Sequence, residues 1–106
     1  MLLLLDENLP KGLKGDFPGH EVFSIRDRGW SGLKNGVLLQ KLLENNFGAL
    51  ITYDKNLQHQ QNFKKYPITV FVLSARINRY SVLTKLTPKI LHILSKPLLP
   101  GPIEIK

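Results

Sequence analysis

The sequence contains no cysteine, so disulfide bonds, thiolate zinc sites and cysteine nucleophiles are all excluded. Long hydrophobic runs are absent as well. The longest, Met1–Leu5, stops at Asp6 and is far shorter than the roughly 20 residues needed to span a bilayer. We therefore expect Met1–Leu5 to be a buried strand rather than an export signal. The prediction is a soluble cytoplasmic protein that has no membrane partner.

Acidic residues are also scarce. The 8 Asp and Glu residues are outnumbered by 15 Lys and Arg residues, which gives a net charge of +7. Such an excess attracts polyanions over about one Debye length, roughly 8–10 Å at physiological salt. RNA, DNA and acidic protein segments are all compatible partners, and a simple gain in solubility is a further explanation. The overall charge does not separate these possibilities.

The chain of 106 residues has 42% hydrophobic and 22% charged residues, as expected for one globular domain over residues 1–106. Short apolar runs alternate with longer periodic ones. A helix is predicted to begin near Asn35, a good N-cap. Another is predicted from Leu57 to Lys65, and a third from Ser81 to Leu94, bent or divided at Pro88. This alternation predicts an α/β fold with a central, mostly parallel sheet of about five strands and helices on both faces. The predicted strands are Met1–Leu5, Glu21–Ile25, Ala49–Tyr53, Ile68–Leu73 and Ile103–Ile105.

Polar residues follow the first and third predicted strands, as Asp6–Asn8 and Thr52–Asn56. Sites in open α/β sheets form outside the carboxyl ends of the strands, so these two groups are expected to meet. Asp6 and Asp54 would offer the one or two carboxylates that Mg²⁺ or Mn²⁺ usually takes, and Asn35 is predicted to open a helix toward the same cleft. The same residues also fit helix caps and turns, and their spacing alone does not decide between the two interpretations.

Basic residues border the same predicted edge. Arg26 and Arg28 follow the second strand, and Trp30 comes just after them. Arginine can bind phosphate with two hydrogen bonds, and an aromatic ring can stack on an unpaired base. Packing over the sheet edge explains Trp30 slightly better than stacking does. His59 could contact RNA or assist proton transfer, but a solvated surface is the better explanation. The predicted nucleic-acid-binding residues are Lys11, Lys14, Arg26, Arg28 and Lys55.

The segments Leu4–Pro10 (LLDENLP), Gly19–Val22, Arg26–Gly29 and Ile51–Leu57 (ITYDKNL) together resemble a family of short PIN-like proteins. The resemblance covers about residues 1–75. It implies a PIN-like Rossmannoid three-layer fold and a Mg²⁺- or Mn²⁺-dependent endoribonuclease. Such proteins are similar to the VapC-type toxins of type II toxin–antitoxin systems. RNA is then the expected substrate, a cognate antitoxin the expected protein partner, and a homodimer is compatible with the resemblance.

The resemblance also implies roles for individual residues. Asp6 and Asp54 match the acidic residues that end the first and third strands, and Glu7 continues the first motif. Asn35 and Asn56 stand where the family usually has aspartate. An amide oxygen can ligate a metal, but it adds no negative charge and cannot act as a base. The implied catalytic residues are Asp6, Asp54 and Glu7, the metal ligands Asp6, Asp54 and Asn35, and the supporting residues Asn8, Thr52 and Asn56.

Two alternatives to an active nuclease follow from the same residues. The amides at Asn35 and Asn56 favour a degenerate PIN-like module that binds RNA or a partner protein without catalysis. A purely structural subunit is the second alternative. Its basic surface would meet an acidic partner through Arg26 and Arg28.

Overall fold

A single parallel sheet forms the centre of the protein. The computed structural model describes residues 1–57 and 62–106, and in those ranges five strands pair in the order β2-β1-β3-β4-β5, every pair parallel. The predicted α/β fold is therefore confirmed, and each predicted strand lies within two residues of an observed one. The strands are β1 (Leu2–Leu5), β2 (Glu21–Ser24), β3 (Ala49–Thr52), β4 (Thr69–Leu73) and β5 (Gly101–Ile105).

Two apolar layers enclose the sheet because successive strand residues point to opposite faces. On the first face, Leu5 and Phe71 pack with residues of the chain between β1 and β2 and of the chain between β4 and β5. On the second face, Leu4 and Val70 pack against the helix between β2 and β3. The sheet is thus the middle of three layers. The helices of the described ranges are α1 (Asn35–Glu44), α2 (Tyr80–Leu83) and α3 (Thr87–Leu94), with 3-10 helices at Lys11–Asp16 and Thr84–Leu86.

Helix boundaries differ from the predictions in two places. The N-cap of α1 is Lys34, in extended conformation, and Asn35 is already the first helical residue rather than the cap. The predicted helix over 81–94 begins one residue earlier and is divided as expected at Pro88, which lies in the first turn of α3. Proline has no amide hydrogen and crowds the preceding turn, so the chain tightens into a 3-10 helix before it.

The longest helix, α1, has only 10 residues. No helix in the described part of the chain is long and apolar enough to cross a membrane. The helix predicted over Leu57–Lys65 includes residues 58–61, which lie outside the described residues, as does His59. Residues 62–66 form a turn in which the amide of Tyr66 donates to the carbonyl of Asn62.

One carboxylate ties together the two connections that cover the first face. Asp16 accepts hydrogen bonds from the hydroxyls of Tyr80 (2.8 Å), Thr84 (2.6 Å) and Thr87 (3.3 Å). The ring of Tyr80 also lies against Gly12, where an added methyl group would approach it to within 2.9 Å. These contacts hold the loop that follows β4 beside the loop that follows β1, at the carboxyl edge of the sheet.

Candidate functional site

An open cleft lies at the carboxyl edge of β1 and β3, with Asp6 and Asp54 on its walls. In α/β sheets, ligand sites form where neighbouring connections leave in opposite directions. Here the chain leaves β1 toward β2 on one side and leaves β3 toward β4 on the other. The two predicted carboxylates are therefore brought to one place. This acidic cleft is lined by Asp6, Asn8, Tyr53, Asp54 and Asn78.

Thr52 connects the Asp6 carboxylate to the backbone of Asp54. Its side chain is fully buried at the end of β3. The hydroxyl donates to Oδ2 of Asp6 over 2.6 Å and accepts the amide hydrogen of Asp54 over 3.0 Å. The other oxygen of Asp6, Oδ1, accepts the amide hydrogen of Glu7 over 2.8 Å. The Asp6 carboxylate is thus held in one orientation before any ligand arrives.

Asp54 is held by a turn rather than by the core. Its Oδ1 accepts the amide hydrogen of Asn56 over 2.9 Å, and its carbonyl accepts that of Leu57. Asn56 thus supports Asp54 through its backbone, and its side chain is exposed, like that of Lys55. Asp54 lines the acidic cleft from this turn.

A second, smaller cleft lies on the other side of Asp6. Three cations, Lys11, Lys14 and Arg26, line it, and three carboxylates balance them in formal charge. Asp6 borders both clefts, so a ligand that lies across Asp6 meets the carboxylates of the acidic cleft on one side, and cations interspersed with carboxylates on the other. We call this second site the basic cleft; it is lined by Leu5, Asp6, Glu7, Leu9, Lys11, Lys14, Ser24, Arg26 and Asp27.

Within the basic cleft, Lys14 is already paired. Its ammonium group donates to Asp27, which also accepts the amide hydrogen of Ser24, while the Ser24 hydroxyl accepts that of Asp27. The hydrogen bond from Lys14, followed by that from the Ser24 backbone, lowers the pKa of Asp27 to about 2. Because the folded pKa is depressed, the pair stabilises the fold at neutral pH, and that contribution is lost as the pH falls through about 2. Lys11 and Arg26 therefore remain the more available cations.

Arg28 does not reach either cleft. Gly29 adopts a φ of +72°, and the amide of Trp30 returns to the carbonyl of Ile25, so the chain turns back over the second face of the sheet. The Arg28 guanidinium lies 5.0–5.6 Å from the ring centroids of three aromatic residues and donates to Oδ1 of Asn45 over 3.1 Å. The sequence-based assignment of Arg28 to RNA binding is therefore replaced by a packing role. The three aromatic residues are Phe23, Trp30 and Phe47.

We expect Arg28→Ala to lower the free energy of unfolding by about 1–2 kcal/mol and to leave RNA affinity unchanged, because it removes three cation–π contacts and a hydrogen bond. Arg28→Lys should recover only part of the stability, since an ammonium group lacks the planar guanidinium face. Urea titration followed by the fluorescence of Trp30, the one tryptophan, measures the change. Weaker RNA binding at unchanged stability would restore the original assignment.

Asn35 is the second predicted residue that the structure places elsewhere. It lies half-buried on the first turn of α1 and, over the described ranges, lines neither cleft. Glu7 is exposed and lines the basic cleft, whereas Asn8 lines the acidic cleft as expected. No group of three or more histidine, aspartate or glutamate side chains suited to a metal ion occurs among the described residues.

Sequence reasoning did not identify Asn78 as a site residue. It follows β4, and its Nδ2 donates to the carbonyl of Asn8 over 2.7 Å, which places it on the wall of the acidic cleft. Asn78 could have been identified from its position after β4, because β4 is the neighbour of β3 in the sheet. That relation is visible only once the strand order is known.

No family model, curated protein or solved structure matches the chain. The resemblance to short PIN-like proteins therefore depends on the sequence motifs themselves. The structure places the two most specific ones, Leu4–Pro10 and Ile51–Leu57, side by side at the carboxyl edge of the sheet.

The oxygen groups of the acidic cleft suit a hard divalent cation. Asp6 and Asp54 supply two carboxylates, and Asn8 and Asn78 add amide groups beside them. Mg²⁺ commonly binds through one or two carboxylates while keeping several waters and recruiting substrate phosphates. The donor set therefore fits Mg²⁺ or Mn²⁺ held weakly, and it does not fit a closed structural metal site.

Proposed function

We propose that the chain is a Mg²⁺- or Mn²⁺-dependent endoribonuclease of the PIN-like type. The observation that carries this proposal is the position of Asp6. Its carboxylate is oriented by buried Thr52 and lies between an acidic cleft shared with Asp54 and a cleft lined by three cations and three carboxylates. Cleavage of a phosphodiester needs both features, one to bind the metal and the other to hold the polyanion.

In this proposal Asp6 and Asp54 would hold the metal, and a metal bound there would supply a positive charge for the scissile phosphate and a more acidic water. Thr52 keeps the Asp6 carboxylate in its orientation. Glu7, which lines the basic cleft beside Asp6, would accept the proton that the attacking water releases. Asn8 and Asn56 support the two aspartates, Asn8 from the cleft wall and Asn56 through the turn that it forms with Asp54.

We assign binding of the RNA backbone to the basic cleft. Arg26 and Lys11 contact phosphate there, and Lys14 does so while it shares its charge with Asp27. Lys55, exposed in the turn after β3, extends the basic surface past the acidic cleft. Because these contacts release counterions, binding should weaken as salt increases, by a slope of about 0.7 per phosphate contact on a log–log plot for a single strand.

Calorimetric titration of Mn²⁺ into the wild-type protein and into Asp54→Asn tests the metal site, and RNA cleavage with and without EDTA tests the activity. We expect weak Mn²⁺ binding by the wild type, loss of most of that binding in the variant, and cleavage that EDTA abolishes. A folded wild-type protein that neither binds Mn²⁺ nor cleaves RNA would overturn the proposal.

The alternative is a module that binds RNA or a partner protein without cutting it. Two observations favour it: the described residues provide two carboxylates in the acidic cleft rather than three or more, and Asn35 lies away from that cleft. This alternative expects RNA affinity that depends on salt but not on Mg²⁺ or Mn²⁺.

We further propose a role as the toxin of a type II toxin–antitoxin pair in the cytoplasm. The support is the resemblance of the LLDENLP and ITYDKNL segments to such toxins, together with the net charge of +7, which suits RNA or an acidic antitoxin segment. Growth arrest on expression of the wild type, relieved by the product of an adjacent gene, is the expected result. Unimpaired growth at high expression would contradict it.

A further inference from the structure

We propose that Tyr53 is a stacking platform for one unpaired base of a single-stranded RNA, and that Asn78 contacts the edge of that base. The proposal deepens the proposed function and relies on RNA being the ligand. The sequence offers Trp30 for stacking too, although packing over the sheet edge is the slightly better explanation for it. Trp30 packs edge-on against Phe47, 5.6 Å between ring centroids, beneath the Arg28 guanidinium.

The Tyr53 side chain is fixed at both ends. Its backbone follows β3, and its hydroxyl donates to the carbonyl of Ala75, beyond the end of β4, over 2.6 Å. The side chain is half-buried and packs against the core of the first face while it lines the acidic cleft. An aromatic ring already held in place loses little conformational freedom when a base stacks on it.

The wall of the acidic cleft that Asn78 forms is held in place as well. Asn78 donates its Nδ2 hydrogen to the carbonyl of Asn8, which leaves the amide oxygen and a second N–H available to a ligand. Asn78 belongs to the segment between β4 and α2. The amide of Ser74, at the start of that segment, donates to the carbonyl of Ile105 over 2.8 Å, which ties the segment to β5. An oriented amide beside an anchored ring provides hydrogen bonding and stacking to the same flat ligand.

Charge decides which part of a nucleotide enters this cleft. Two carboxylates and no cation are among the lining residues of the acidic cleft, over the ranges that the structure describes. A phosphate without a metal would be repelled there, whereas a neutral base would not. Phosphate is instead matched by Lys11 and Arg26 in the basic cleft across Asp6. A base can reach Tyr53 only if it is unpaired and unstacked, which specifies single-stranded RNA.

Other tyrosines offer no equivalent platform. The ring of Tyr80 covers Gly12 and its hydroxyl is bound to Asp16. Tyr66 lies in the second core layer with the Lys65 ammonium 5.4 Å from its ring centroid. Tyr66 therefore provides a matched control, since it is a half-buried tyrosine away from both clefts.

The test uses a short single-stranded RNA carrying one 2-aminopurine, whose fluorescence is quenched by stacking, with EDTA present so that no cleavage occurs. We expect quenching by the wild type and by Tyr53→Phe. Tyr53→Leu should lose the quenching and bind roughly tenfold more weakly. Asn78→Ala should keep the quenching and bind about fivefold more weakly. Tyr66→Leu and the wild type should be indistinguishable.

Unchanged affinity and quenching in folded Tyr53→Leu would overturn the proposal, as would equal affinity for the same sequence in a duplex. Quenching of Trp30 fluorescence, with Tyr53→Leu unaffected, would assign the base to Trp30 instead and also overturn it. Because EDTA removes the metal, failure here is distinguishable from failure of the nuclease activity. Stacking without any Mn²⁺-dependent cleavage would keep this inference and reject the enzyme.

Discussion

Asp6→Asn is expected to lower RNA cleavage by more than about 100-fold and to relieve any growth inhibition, while the protein stays folded. Loss of groups that merely orient a metal ligand already costs about 10- to 100-fold, so loss of a ligand should cost more. The change removes one of the two proposed metal-binding charges, and Asp6 is the only carboxylate among the described residues that lines both clefts. Initial rates of cleavage of a labelled RNA at saturating Mn²⁺ measure the effect.

The fold should survive because asparagine can keep both hydrogen bonds of Asp6. Its Oδ1 can accept the amide hydrogen of Glu7, and its Nδ2 can donate to the hydroxyl oxygen of Thr52 once that hydroxyl rotates. Circular dichroism and urea titration provide the check. Cleavage by folded Asp6→Asn at the wild-type rate would show that the activity has another origin, such as a contaminating nuclease.

Thr52→Val is expected to lower cleavage by about 10- to 100-fold, although Thr52 touches neither metal nor RNA in our proposal. Valine has nearly the same shape, but it removes the donor to Asp6 and leaves the amide of Asp54 without its acceptor. The Asp6 carboxylate then loses one of its two hydrogen bonds, and the backbone of Asp54 loses its bond to the end of β3. Because Thr52 is fully buried, the unpaired amide should also cost about 1–3 kcal/mol of stability.

Thr52→Ser is the matched control, since it keeps the hydroxyl and loses only a methyl group. It should retain activity within a few fold of the wild type and pay a small stability cost. Mn²⁺ affinity, measured by calorimetry, should follow the same order as activity. If valine and serine lower activity equally, the hydroxyl has no positioning role and the effect is one of packing alone.

The sheet could be predicted because each strand is indicated by its own residues and those next to it in the sequence. Leu2–Leu5 and Ala49–Ile51 are continuous apolar runs followed closely by polar residues, as is typical of buried parallel strands, and the ends of both strands could be predicted within a residue. The positions of Asp6 and Asp54 follow from those ends and from the general geometry of parallel sheets. This part of the candidate site therefore needed no tertiary information.

The rest of the candidate site could not be predicted, because it depends on where side chains point after a turn. Arg28 and Arg26 are two residues apart, yet one turns back over Phe23 and the other lines the basic cleft. The turn over Ile25–Gly29 separates the two side chains, and it ends with Gly29 in the left-handed conformation, which the sequence permits but does not require. Asn78 joins the site through a bond to a residue 70 positions away, a contact that no local pattern reveals.

The parallel strand order has a consequence for the time course of folding. Two neighbouring strands can pair only after the chain between them has been synthesised. Because the contacts of the sheet are distant in sequence, folding should be slow for a domain of this size. β1 is the first strand to emerge from the ribosome, but its second neighbour, β3, follows more than forty residues later. β5 completes the edge beside β4 and is synthesised last. Until it pairs, Phe71 and Val72 lie on an open strand edge, and the nascent chain is exposed to aggregation or chaperone capture.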